Sequence, residues 1–500
     1  MRSEDVVIVG GGPTGLLLGC ELALAGVHPV VLERRSEPST APKANGLAGQ
    51  IVQLLDYRGL LETLSAEASF VGPLPEWEFG SVPLEFSRLP ASPMHAVLIQ
   101  QPAMETVLRQ RADELSVEVR HGHELTALAS DGDEVTIEVC GPGGDYMMRT
   151  RYVVGCDGGG SVVRRMGGIE FPGSTGSEVV RIGHFTVLVT EGFRDDDNVE
   201  SARRPTVIRT SNGRVMMMSV RPGIRLVAVS ENAPRTESGP MTLGEFQASV
   251  RRVMGDELPL GEPIWLTHTT SHARLANTYK QGRVLLAGDA AHLFPGGGSA
   301  LNVGLTDAFN LGWKLAAEVR GRAPRGLLDT YHTERYPAAQ RTLIQTRAQV
   351  FLHQCDDEDG AALRTLLSEL LEFDQPLEHL GRILAGSDIR YPMPGGGPHP
   401  LVGRLVPDLP LQTADRGPVR VTDLMRTGRP LLLDFTNTDA LHGMSHPWID
   451  RIATITATCD NPPAPALLIR PDGYIAWAAD QQANLEEALT HWFGTNISTA

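Results

Sequence analysis

The chain is poor in cysteine, and its five cysteines (Cys20, Cys140, Cys156, Cys355 and Cys459) never fall into a CxxC pair. Dithiol chemistry is therefore excluded, and the scatter fits a reducing cytoplasm with cysteines used as small apolar residues. Lysine is scarcer still. It occurs only at Lys43, Lys280 and Lys314, so 41 of the 44 basic residues are arginine (44 − 3). We read this as the codon bias of a GC-rich genome rather than as chemistry. No apolar run approaches the ~20 residues of a membrane span. A cleaved leader is not expected either, because Ser3-Glu4-Asp5 runs directly into an apolar strand and a glycine loop that cleavage would destroy. The net charge of −16 argues against nucleic acid or an anionic membrane as a partner. No Ser-His-Asp or Cys-His signature, internal repeat or low-complexity tract stands out.

What remains is an ordinary globular composition, 41% hydrophobic and 21% charged, in 500 residues. That length predicts roughly three domains at ~150 residues each. Such a core needs neither disulfides nor a metal to hold it.

Residues 5–9 read as a buried strand, 15–26 as a largely apolar helix, and 29–32 as a second strand ended by Glu33. This is a βαβ unit of about 30 residues. Gly10-x-Gly12-x-x-Gly15 lies at its first turn. Gly10 permits the tight turn, Gly12 lets backbone approach a pyrophosphate, and Gly15 lets helix and strand pack closely. The helix N-terminus behind Pro13 and Thr14 offers free N–H groups to phosphates. Glu33 lies 18 residues beyond Gly15, near the ~20 expected of a carboxylate that bonds ribose hydroxyls.

Further along, helices are predicted over 53–64, 104–115, 308–320 and 327–347. Strands are predicted over 117–120, 134–139, 152–155 and 284–287. Between about 170 and 275 the pattern alternates, with strands at 179–189, 206–208, 214–220 and 225–230. Residues 391–398 are rich in proline and glycine and read as a linker. Strands follow at 430–435 and 466–477, the second interrupted by Asp472-Gly473, a hairpin signal.

The glycine loop alone does not separate FAD from NAD. Two later motifs do: Cys156-Asp157-Gly158 with Arg164 downstream, and Gly288-Asp289-Ala290-Ala291-His292. With them the chain resembles the group A flavoprotein monooxygenases, the para-hydroxybenzoate hydroxylase-like family. The branch most similar holds actinobacterial aromatic polyketide hydroxylases and rifampicin- and tetracycline-modifying monooxygenases. The resemblance covers essentially the whole chain. It implies a Rossmann-like FAD-binding domain over 1–175 and 276–390 and an inserted β-sheet substrate domain over 176–275. It also implies a thioredoxin-like C-terminal domain over 400–500, whose default role is packing or dimerisation.

The resemblance also implies roles. FAD would be held by Gly10, Gly12, Pro13, Thr14, Gly15, Glu33, Arg34, Lys43, Gln101, Asp157, Gly288 and Asp289, with Asp157 contributing to NADPH or NADH binding. Asp289 would bond the ribityl chain. Pro295, Gly297, Gly298, Ala300, Leu301 and Asn302 would seat the flavin ring at a helix start. A dipole contact there is worth ~0.3–1 kcal/mol when exposed. The implied reaction reduces FAD with NAD(P)H, adds O₂ at flavin C4a, and transfers one oxygen from the hydroperoxide to a polycyclic aromatic or quinone natural product. The chain would act as a monomer or homodimer.

The chain departs from its relatives in three ways. The segment from His292 to Asn302 is one residue short, Ala300 stands where glycine is usual, and Asn45 and Gln50 stand where many relatives carry arginine. No catalytic base is assigned; His184, His268 and His272 are candidates, each more naturally a surface or core residue. Met216-Met217-Met218 alternates on a strand and either lines a pocket or packs the core. Phe70, Trp77, Phe79 and Phe86 either cover the pocket or simply pack. Two alternatives stay open: Baeyer–Villiger or epoxidising oxygenation of the same substrate class, and a flavin-binding or flavin-free protein without oxygenase activity.

Overall fold

The structure, a computed structural model, describes residues 3–187, 206–221, 223–231, 239–296, 299–355, 357–436, 438–479 and 484–495. The first sheet carries five parallel strands in the spatial order Val284–Leu286, Gly144–Gly155, Ser3–Val9, Val30–Glu33, Glu118–His121. The inner strands are almost wholly buried, packed with helix Pro13–Leu24 and with the antiparallel strands Glu124–Ser130 and Val135–Gly141 in one apolar core, which is why their sequences are unbroken apolar runs. Chain order reverses between Ser3–Val9 and Gly144–Gly155. Ligands of such sheets bind at this switch point, beyond the carboxyl ends of the strands. Gly10 leaves the first of these strands and Cys156 the second, and the Cys156 N–H donates to the Val9 carbonyl at 2.7 Å.

A second sheet is built from Thr206–Thr210, Gly213–Arg221, Ile224–Glu231, Gly173–Thr186, Pro263–Leu275 and His292–Leu293 in that order. Its last strand comes from the Gly-Asp motif, so the substrate-side sheet is hydrogen-bonded directly to the cofactor motif through Arg274–Leu293 and Leu275–His292. Helix Leu243–Met254 packs on one face, burying Phe185, Val215, Met217, Val227 and Val229 against Phe246 and Val250. The other face carries the alternate residues. Met216 pairs with Ala228, which in turn pairs with Ile182, and Met218 pairs with Leu226, which in turn pairs with His184.

The third sheet has a core order of Ala453–Thr458, Leu431–Asp434, Ala466–Ile469, Ile475–Ala478, with the first pair parallel and the rest antiparallel. Helix Leu485–Phe493 packs on it through Leu489, Trp492 and Phe493. This is a thioredoxin-like arrangement in which a proline-rich loop at 459–465 replaces one helix. The hairpin expected at Asp472-Gly473 is present, with Gly473 at φ 80°.

Several element boundaries differ from expectation. The helix read over 53–64 is two, Gln50–Asp56 and Leu61–Ala66, broken at Gly59 (φ 69°). The helix read from 308 begins eight residues earlier, as Ala300–Val319. Helices Glu358–Leu370 and Asp374–Ala385 were not anticipated. The proline- and glycine-rich linker has no regular structure, but it is not a free tether: Tyr391 is buried and hydrogen-bonded. Part of the strand read at 179–189 lies outside the described residues.

Candidate active site

Helix Pro13–Leu24 starts at the switch point with Gly12 as its N-cap and no side chain closing that cap. Its first N–H groups are therefore free to take an anion. The glycines around it differ in what constrains them. A Cβ on Gly10, which sits at φ 111°, would lie 2.3 Å from the Cys156 carbonyl oxygen. One on Gly15 would lie 2.0 Å from the Gly10 oxygen. A Cβ on Gly12 would meet no protein atom within 4 Å. Gly10 and Gly15 are thus needed by the fold, whereas the space beside Gly12 is open.

Glu33 folds back on this loop, accepting from Gly11 N and Arg35 N at 2.9 Å each. Arg34 and Lys43 are exposed. Gln101 opens helix Gln101–Glu114; its N–H donates to Ala44 and its side chain donates to Glu105 at 2.8 Å. Asp157 caps a short helix, accepting from Val162 N (2.6 Å) and Val163 N (3.2 Å) through Oδ2. Its Oδ1 is buried without a partner, an uncompensated acceptor beside Gly10.

Opposite them, Gly288 (φ 63°) packs on Thr14, whose Oγ1 would lie 2.9 Å from a Cβ there. Asp289 is solvent-accessible, yet protein surrounds it closely enough that burial raises its carboxyl above the usual range, with His292 and Lys43 pulling it back down. Pro295 is buried. Gly297 and Gly298 lie outside the described residues. Ala300 begins the long helix, half-buried Leu301 follows it, and Asn302 donates to the Ala48 carbonyl at 3.0 Å. The glycine loop, Asp157, the Gly-Asp turn and the first turns of this helix therefore pack together at the switch point.

Behind the Gly-Asp turn lies a buried network. Asp307 accepts from Gly288 N (3.0 Å), His292 Nε2 (2.8 Å) and Arg335 Nε (2.7 Å). Burial alone would raise the Asp307 carboxyl, but Arg335 and His292 outweigh it and hold it below the usual range. Arg335 also donates to the Tyr391 hydroxyl at 2.8 Å, and Tyr391 stacks on Tyr474 with ring centroids 4.2 Å apart. These partners were not singled out from sequence. A signal was there: Glu334 and Arg335 fall on the same stripe of their helix as Tyr331, Ala338 and Ala339, all of them buried. Charges on an inward stripe require partners.

The candidate bases separate clearly. His184 is buried, and burial with Arg221 pushes it down to about 4; its ring meets Trp265 edge-on at 5.6 Å. His272 bonds Thr175 and Thr270. His268 pairs in register with Arg181. None of these observations brings a histidine to the glycine cleft. Phe79 and Phe86 pack in a core with Leu352 and Leu377, and Trp77 is exposed. Met217 is core, whereas Met216 and Met218 face away from the covering helix.

The FAD binding domain family matches residues 3–346, and the aromatic-ring hydroxylase C-terminal family matches residues 399–496. The chain belongs to the FAD-binding aromatic monooxygenases. It is 40% identical to the 12-dehydrotetracycline 5-monooxygenase/anhydrotetracycline 6-monooxygenase of Streptomyces rimosus, over 98% of this chain and 99% of that one. It is 36% identical to a dialkyldecalin synthase of Streptomyces rugosporus, over 98% and 99%. The crystal structure of an aromatic hydroxylase from angucycline biosynthesis superposes with a TM-score of 0.90, at 37% identity, over 99% of this chain and all of that one. Among the described residues no helix is long and apolar enough to cross a membrane.

Proposed function

We propose that this protein is an FAD-dependent, NAD(P)H-consuming enzyme of the reducing cytoplasm, a monomer or homodimer, that hydroxylates a polycyclic aromatic or quinone natural product during polyketide tailoring. The observation that carries the reading is the cradle itself. A helix N-terminus lies beside a glycine whose flank is open, and the turn that carries the exposed Asp289 carboxylate packs against Thr14 of that helix. Those donors and that acceptor fit a pyrophosphate and a polyol chain in sequence.

FAD, when bound, supplies the hydride-accepting and oxygen-activating chemistry that amino-acid side chains do not. The chain's own work is binding and positioning. Residues 1–175 and 276–390 would hold the cofactor. Gly10, Gly12, Pro13, Thr14 and Gly15 would take the pyrophosphate, Glu33 the ribose hydroxyls, and Asp289 the ribityl hydroxyls. Arg34, Lys43 and Gln101 would line the approach. Asp157 and Gly288 would shape the cleft floor. Pro295, Gly297, Gly298, Ala300, Leu301 and Asn302 would seat the ring at the start of the helix. Residues 176–275 would present the sheet face bearing Met216, Met218, Leu226 and Ala228 to an apolar, planar substrate, to which flexible methionines adapt well.

The test is reconstitution. Protein incubated with FAD should retain flavin after desalting and should oxidise NADH or NADPH faster when a polycyclic aromatic is added. Colourless protein after FAD addition would sink the proposal. The relationship to a dialkyldecalin synthase favours one second reading, a flavin-binding protein that folds its substrate without oxygenating it. In that case product and substrate would have equal mass.

A further inference from the structure

The turn at 470–474 belongs to the C-terminal unit by sequence, yet it is inserted into the cofactor-binding unit. The Pro471 carbonyl accepts from Arg58 at 2.8 Å, and a Cβ on Gly473 would fall 2.5 Å from the Tyr57 ring. Tyr474 closes the turn. It is buried, stacked on Tyr391, and its hydroxyl donates to Gln50 Oε1 at 3.1 Å.

Gln50 opens helix Gln50–Asp56, two residues past the Ala48 carbonyl that Asn302 holds. Gln50, Ser299, Asn302, Arg335, Gln345 and Tyr474 supply the polar part of the mixed lining of a cavity of about 60 Å³ at the start of helix Ala300–Val319. A cofactor whose pyrophosphate lies at Gly12 and whose polyol lies at Asp289 must bring its far end to this helix start. Tyr474 grips the amide oxygen of Gln50, so the amide nitrogen is the group left to donate. No acceptor among the described residues takes it.

We propose that Tyr474 is a positioning residue of the flavin site: the C-terminal unit reaches into the cofactor domain and orients Gln50, so that its amide nitrogen points to the cofactor's far end. The role of this domain is then cofactor organisation, not packing alone. The inference rests on the FAD reading above.

The experiment uses the full-length apoprotein titrated with FAD, with the flavin absorption band and the apoprotein melting temperature recorded alongside. Tyr474→Phe keeps the ring and removes the hydroxyl. It should weaken FAD binding about three- to tenfold, the usual worth of one neutral hydrogen bond, and shift the flavin band, while the apoprotein melts as before. Gln50→Met should do the same. In the Gln50→Met background, Tyr474→Phe should add nothing, because the two groups act as one. Unchanged affinity and band in Tyr474→Phe, additive effects in the double variant, or a loss that tracks a lowered apoprotein melting temperature would each overturn the proposal. Wild-type protein that takes up no FAD would instead overturn the functional reading beneath it.

Discussion

At the scale of single residues, the glycine loop divides cleanly between fold and ligand. Gly15→Ala drives a methyl to 2.0 Å from the Gly10 oxygen and should lower the melting temperature of the apoprotein. Gly12→Ala meets no protein atom, so the apoprotein should melt normally. Its new methyl would instead occupy the pyrophosphate's space. An overpacking penalty of ~1–3 kcal/mol corresponds to roughly five- to 150-fold weaker FAD binding, measurable by titration. His184 makes a different prediction. Its folded value, near 4, lies below the ordinary value of 6.5, so between those pH values the unfolded chain binds a proton that the folded chain refuses. Stability should therefore fall as pH drops from 6.5 towards 4, and His184→Phe should flatten that slope in urea melts recorded across the window. The strand, glycine turn and helix around Gly10, Gly12 and Gly15 were legible in sequence because that unit follows from local backbone geometry. The Asp307–His292–Arg335 network was not, because its three members meet only in space.

At the scale of elements, the clearest feature is the charge cluster under the inserted turn. Glu334 accepts from Lys314 (2.7 Å) and takes both Arg470 terminal nitrogens (2.7 and 2.8 Å), while Arg470 also grips Asp472 and Asn310 bridges Glu334 and Asp472. Two cations and two anions are fully buried here. Burial pushes Lys314 down to about 8 against the pull of Glu334, while Glu334 itself is held low by Arg470 and Lys314 despite its burial. Breaking such a pair costs far more than the pair is worth, because the surviving charge stays buried. Glu334→Ala should thus cost roughly 3–5 kcal/mol in denaturant unfolding. Asn310, Trp313 and Lys314 lie further along the helix whose start the resemblance sets beside the flavin ring. Lys314 and Asn310 turn instead towards the C-terminal unit, and Trp313 packs near Trp492. Periodicity announced that helix but said nothing about which neighbour each face would meet.

At the scale of the whole molecule, the three large sheets are joined at their edges and turns rather than strung on linkers. The Gly-Asp motif supplies a strand to the substrate-side sheet, and the C-terminal hairpin enters the cofactor unit beside Arg58, which also bonds Glu21 bidentately at 2.7 Å. A chain ending at residue 398 would leave Glu334, Lys314 and Tyr57 without their covering turn, and we expect it to be insoluble or unable to retain FAD. The three-unit organisation was readable from strand patterning and the proline-rich stretch at 391–398, but the depth of the docking was not, since a turn signal does not reveal what the turn inserts into. In the function proposed, the assembled molecule transfers one atom of O₂ to a polycyclic aromatic. The most direct measurement is a turnover with FAD, NAD(P)H and isotope-labelled O₂, followed by mass spectrometry of the product. The expected product carries one labelled oxygen atom and forms with NAD(P)H consumption. A product of unchanged mass, formed without NAD(P)H consumption, would contradict it.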